Sequence, residues 1–109
     1  MVEESLLLQA LGDTTKLRII DFLADNRLFD YSQKDIIEGA GVSKKSFYDN
    51  LPSLEALGVV KRTRNVGKAK LYKLNEASPV VKRLLAFEME LIRAASEKHA
   101  VEKITARQR

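Results

Sequence analysis

A chain of 109 residues with 45% hydrophobic and 31% charged side chains has the size and apolar content of one small folded domain, which argues against a multidomain enzyme. It contains no Cys and one His, so thiol nucleophiles, disulfides, Cys-based zinc sites and clusters of His around a metal cannot be built. The formal charge is +4, and the acidic opening MVEESLLLQALGD lacks the basic and long apolar regions of a secretory leader.

The first apolar residues, Leu7, Leu8 and Leu11, break at Gly12 and resume at Leu17, Ile19, Ile20 and Leu23. Spacings of this kind on both sides of the break predict two helices. Asp13 or Thr14 supplies the N-cap of the second, because a short side-chain oxygen satisfies the orphan amides of the first turn, and Asn26 ends it. Leu28, Phe29 and Tyr31 predict a short extended stretch. The segment SQKDIIEGAGVS opens with Ser32 three residues before Asp35, a variant of the capping box, and Gly41 closes a short helix. In VSKKSFYDNLPSLEALGVV, Ser43 is the cap, and Phe47, Leu51 and Leu54 repeat at four and three as one buried helical face. Gly58 ends that helix in a left-handed residue. Pro52, inside it, deletes a backbone bond and predicts a kink after Tyr48.

Two β-prone runs follow, VVKRTR and AKLYKL, separated by Asn65, Val66, Gly67 and Lys68, which predicts a hairpin with Gly at its turn. Leu71, Tyr72 and Leu74 are expected in the core. The charge concentrates here: residues 61–75 carry 6 Lys/Arg against no Asp/Glu, whereas residues 1–60 carry 6 against 10 and residues 76–109 carry 7 against 5. A block of one sign at that density reads as an anion-binding surface, or as a Lys-rich hairpin guarded against edge pairing. After it, Ser78 caps and Pro79 opens a final helix of about 25 residues, roughly 37 Å long at 1.5 Å per residue. Val80, Leu84, Phe87, Leu91, Ala94, Lys98 and Val101 alternate spacings of four and three along it, flanked by Val81, Leu85, Ile92 and Ala95. The closing TARQR is polar and is expected to fray.

The order helix-turn-helix and hairpin, with LGDTTKLRIIDFL, GAGVSKKSFYDNLPSLEALGVV and a hairpin ending KLYKLN, resembles the winged-helix transcription regulators of the arsenic-repressor-like (ArsR-like) superfamily, in particular its small archaeal-type members without metal-sensing residues. The likeness covers about residues 6–75. It implies a mainly α fold with a small β-hairpin: a winged helix-turn-helix over residues 1–76, and a C-terminal dimerisation helix over 77–105 packed on the same domain. It also implies a homodimer on double-stranded DNA, recognition helix in the major groove and wing on the backbone or minor groove.

With the buried face at Phe47, Leu51 and Leu54, a step of 100° per residue points Lys45 and Asp49 outward, with Ser46 and Tyr48 on the flanks. These four are the expected base contacts. Lys45 suits guanine, Ser46 a base or phosphate, Tyr48 a phosphate or thymine methyl. Asp49 departs from the family's usual basic or amide residue and either accepts from cytosine or pairs with Lys45. Backbone and minor-groove contacts are expected from Lys44, Lys61, Arg62, Arg64, Asn65, Lys68 and Lys70, with Arg64, Asn65 and Lys68 at or beside the wing tip. The dimer interface is expected at Leu7, Leu11, Val80, Leu84, Phe87, Leu91 and Ala94.

His99, beside Lys98 and near Glu102, is too thin a set for a metal site, and Asp21, Asp25, Glu88 and Glu90 read as ordinary solvated helix faces. No Gly-rich phosphate loop, nucleophile elbow or paired-acid spacing is found. The expectation is therefore a cytoplasmic, nucleoid-associated transcriptional regulator, most simply a repressor, that is not an enzyme and has no cofactor or metal. A partition or chromatin-associated DNA-binding role uses the same residues, and a winged-helix protein-interaction module is the alternative of another class. A small-molecule effector is left open.

Overall fold

The computed structural model describes the backbone of residues 5–108 and the side chains of residues 5–98. The elements run α1 (Leu6–Leu11), α2 (Thr15–Asp25), β1 (Tyr31–Ser32), α3 (Gln33–Ala40), α4 (Lys44–Ala56), β2 (Val60–Val66), β3 (Ala69–Leu74) and α5 (Pro79–Gln108). Four of the five helices begin at a hydroxyl cap: Leu8 N–H donates to Ser5 Oγ at 3.2 Å, Leu17 N–H to Thr14 Oγ1 at 3.2 Å, Asp35 N–H to Ser32 Oγ at 3.1 Å and Ser46 N–H to Ser43 Oγ at 3.0 Å. Each cap stabilises its helix by about 1 kcal/mol. Of the two candidate caps for α2, Thr14 takes the role. Asp13 is left to bind Arg18 in a fork, Nε to Oδ1 at 2.6 Å and Nη2 to Oδ2 at 2.8 Å.

The strands form one antiparallel sheet in the order β1-β3-β2, with Tyr31 opposite Tyr72 and Val60 opposite Leu74. Leu28 and Phe29 do not join it. They lie in the turn between α2 and β1, 87% and 67% exposed. The hairpin turn is also tighter than expected, since Asn65 pairs with Lys70 and Val66 with Ala69, leaving Gly67 and Lys68 alone at the tip. A bulge at Thr63 shifts the register, so that Arg62 faces Tyr72 and Arg64 faces Leu71.

The core joins Ile19, Leu23, Ile36, Phe47, Leu51, Leu54, Tyr72 and Leu74, with Leu71 only half-buried. Between α3 and α4, Gly41 adopts φ +69°, a left-handed residue that lets the chain reverse within three residues. Arg18 Nη1 donates to its carbonyl at 3.3 Å, tying α2 to the turn. Gly39 is needed for another reason: a Cβ there would overlap the Phe22 ring, which packs edge-to-face on Tyr31. Helix α4 runs unbroken through Pro52, and the Asn50 side-chain amide donates to Ser46 O at 2.7 Å on the preceding turn.

One expectation about the dimer interface is corrected. Leu7, only 1% exposed, belongs to this chain's own core and has no surface left for a partner, whereas Leu11 is exposed. The face of α5 that meets the domain centres on the fully buried Val81, with Leu84 and Leu85 packed beside it. That face lies about a quarter turn from the stripe expected at the dimer interface, at 100° per residue, so Val80, Phe87 and Ala94 of the stripe are exposed in the single chain while Leu84 and Leu91 are half-buried. Residues 105–108 of TARQR continue the helix. The side chains of His99, Val101 and Glu102 lie outside the described residues.

The packing of α5 also gathers carboxylates that the sequence presents as separate solvated faces. Oxygens of Asp21, Asp25 and Glu88 lie within 4.8 Å of one another. Burial, then the neighbouring acids, raises the carboxyls of Asp25 and Glu88 above their ordinary values, against a smaller opposite pull from Arg27. A carboxyl raised by folding holds its proton more tightly in the native state. Stability from this pair is therefore fully present below the ordinary carboxylate pKa and is lost as pH rises through the raised one. Glu88→Gln is expected to raise the melting temperature at pH 7 and to lose that advantage at acidic pH. A lower melting temperature than the unmutated chain at pH 7 would contradict this.

Candidate nucleic-acid interface

The exposed face of α4 is built by its own core residues. Anchoring Phe47 and Leu51 inward turns Lys45 and Asp49 to solvent, with Tyr48 exposed and Ser46 half-buried beside them. Lys45 Nζ lies 3.5 Å from Asp49 Oδ2, so the i to i+4 pairing is the one formed. An exposed pair of this kind contributes only about 0.3–0.5 kcal/mol. Lys45 therefore gives up little on meeting a stronger acceptor.

Tyr48 is fixed more firmly. Its hydroxyl donates to Gln33 Oε1 at 2.9 Å, and Gln33 Nε2 donates to the Tyr72 hydroxyl at 3.2 Å. This chain links α4, the first turn of α3 and strand β3. The Tyr48 oxygen keeps acceptor capacity, but its proton is engaged, which restricts the phosphate-donor role expected for it.

Between α3, α4 and the wing lies a groove of about 570 Å³. Lys34, Lys44, Lys68 and Lys70 line it, with Tyr48 and Gln33 and the single acid Glu38 among its walls. Four ammonium groups around one concavity, one of them at the wing tip, favour a polyanion through summed Coulomb attraction. The structure thus brings the expected residues Lys44, Tyr48, Lys68 and Lys70 together, and adds Lys34 and Gln33. Neither addition was readable from the sequence, because β1 is only two residues long and its pairing with β3 brings the start of α3 beside the wing. Lys61, Arg62 and Asn65 are exposed along β2, outside the residues that line the groove.

Arg64 departs from expectation. It lies in β2 below the tip, and its guanidinium binds Asp30 in a fork, Nε to Oδ2 at 3.0 Å and Nη2 to Oδ1 at 3.2 Å. Thr63 Oγ1 donates to the same carboxylate at 2.5 Å. Hydrogen bonds from Arg64 and Thr63 hold the Asp30 carboxyl down at about 2.

No helix among the described residues is long and apolar enough to cross a membrane. No family model and no curated protein matches the chain. Among solved structures, NadR in complex with 4-hydroxyphenylacetate is 25% identical, with a TM-score of 0.62 over 94% of this chain and 75% of its own. The homodimeric winged helix-turn-helix DNA-binding domain of a possible ArsR-family transcriptional regulator from Mycobacterium bovis is also 25% identical, with a TM-score of 0.54 over 87% of this chain and 79% of its own. A MarR-family transcriptional regulator from Silicibacter pomeroyi is 20% identical, with a TM-score of 0.60 over 86% of this chain and 64% of its own, a likeness of fold alone. The fold is a winged helix-turn-helix with a long C-terminal helix. Neighbours sharing it include transcription regulators and a DNA-binding domain.

Proposed function

We propose that this chain is a sequence-specific double-stranded-DNA-binding protein that acts as a homodimeric transcriptional regulator of the ArsR-like kind, most simply a repressor. The observation that carries the reading is the lysine-lined groove between α3, α4 and the wing, which opens beside the exposed Lys45 face of α4. With α4 in the major groove, Lys45 and Ser46 meet base edges, while Lys34, Lys44, Lys68 and Lys70 meet phosphates on the flanking backbone. The M. bovis neighbour, a homodimeric DNA-binding domain, supports both the ligand and the assembly. For the assembly, the exposed Val80, Phe87, Met89 and Ile92 of α5 supply an apolar surface of the kind a second copy covers. A protein-interaction module is the second reading, favoured by the exposed Leu28 and Phe29.

Selection from random duplex DNA separates the two. The expected product is an inverted repeat with half-sites about 34 Å apart, one helical turn. On that site Lys45→Ala is expected to cost roughly 1–3 kcal/mol while leaving binding to random-sequence duplex nearly intact. Equal losses on both would make Lys45 a phosphate contact. A selection that enriches nothing favours the interaction module.

A further inference from the structure

We infer that Asp30 restrains the sequence-independent part of DNA binding by occupying the guanidinium of Arg64 on the wing, so that a phosphate must compete for it. This rests on the DNA-binding reading above and adds an acidic residue to it that opposes binding. Arg64 is 64% exposed at its side chain, whereas Asp30 is only 15% exposed. The cation therefore faces solvent, and the acid that neutralises it sits beneath.

The local backbone explains how. In a regular strand Thr63 and Arg64 would project to opposite faces of the sheet. The bulge between Arg62 and Arg64 removes that alternation, and both side chains reach the one carboxylate. Arg64 binds it through two nitrogens, the geometry in which guanidinium and carboxylate match best. Hydrogen bonds from Arg64 and Thr63 also keep Asp30 ionised far into acid, so the pair persists across the physiological range.

A backbone phosphate offers Arg64 the same fork, but only by displacing Asp30. Each cation placed on a phosphate steepens the dependence of log affinity on log salt by about 0.9. A cation already neutralised by Asp30 contributes little to that slope. Asp30 thus lowers affinity for duplex of any sequence without touching the Lys45 face that reads sequence.

The test is a double-mutant cycle on a duplex of random sequence, with the native chain, Asp30→Asn, Arg64→Ala and the double variant titrated over a range of salt. Asp30→Asn is expected to tighten binding several-fold at low salt and to steepen the slope by about 0.9 per subunit as Arg64 takes a phosphate. In the Arg64→Ala background the same substitution should leave both affinity and slope where Arg64→Ala alone sets them. Gain from Asp30→Asn that survives in the Arg64→Ala background is a general effect of removing a negative charge and overturns the inference, as does weaker or unchanged binding by Asp30→Asn. Duplex binding by none of the four proteins would overturn the DNA-binding reading itself.

Discussion

Phe87→Glu is expected to convert the protein from dimer to monomer and to abolish its preference for inverted repeats. Phe87 is 39% exposed in the single chain, while Val81, not Phe87, anchors α5 to its own domain. A charge at this position therefore leaves the chain's own core intact and falls where a second copy would have to bury it. Burial of an unpaired carboxylate costs several kcal/mol after relaxation, enough to shift a dimer of small interface to monomers at micromolar concentration. The consequence for DNA follows from linkage of the two recognition helices: the second half-site is bound at an effective concentration set by the first, and its loss lowers affinity for the full site on the order of 10²-fold or more. Half-site binding should survive. Sedimentation of the unmutated chain as a monomer at micromolar concentration would contradict the assembly, and so would a Phe87→Glu chain that still prefers inverted repeats.

Much of the architecture was legible because it rests on local signals. Hydroxyl caps at Thr14, Ser32 and Ser43, the left-handed Gly41, and the Phe47, Leu51 and Leu54 spacing each depend on neighbours within a turn or two, and together they place the helix-turn-helix. The hairpin was legible in type but not in length, since Asn65 and Val66, expected in the turn, pair in β2 with Lys70 and Ala69. What the sequence concealed depends on contacts distant along the chain. On α5 the alternating spacings run through Val80 and Leu84 as readily as through Val81 and Leu85, and the carboxyl of Glu88 beside the buried face disguises which side is inward. The Arg64–Asp30 fork spans 34 residues and exists only because Thr63 bulges, a backbone irregularity with no residue signature. Lys34 joins the basic groove through the pairing of a two-residue strand, below the length at which alternation can be read.

Contact of α4 and the wing with a DNA backbone through lysines makes binding depend steeply on salt. If Lys34, Lys44, Lys68 and Lys70 of both subunits each meet a phosphate, affinity for a duplex carrying the selected site falls about 10³- to 10⁵-fold between 50 and 200 mM salt. The measurement is fluorescence anisotropy of labelled duplex titrated with the unmutated chain at both concentrations. The expected result is a linear log–log plot of that steepness. An isotherm that does not move with salt, or no binding at 50 mM, would contradict DNA binding through these lysines.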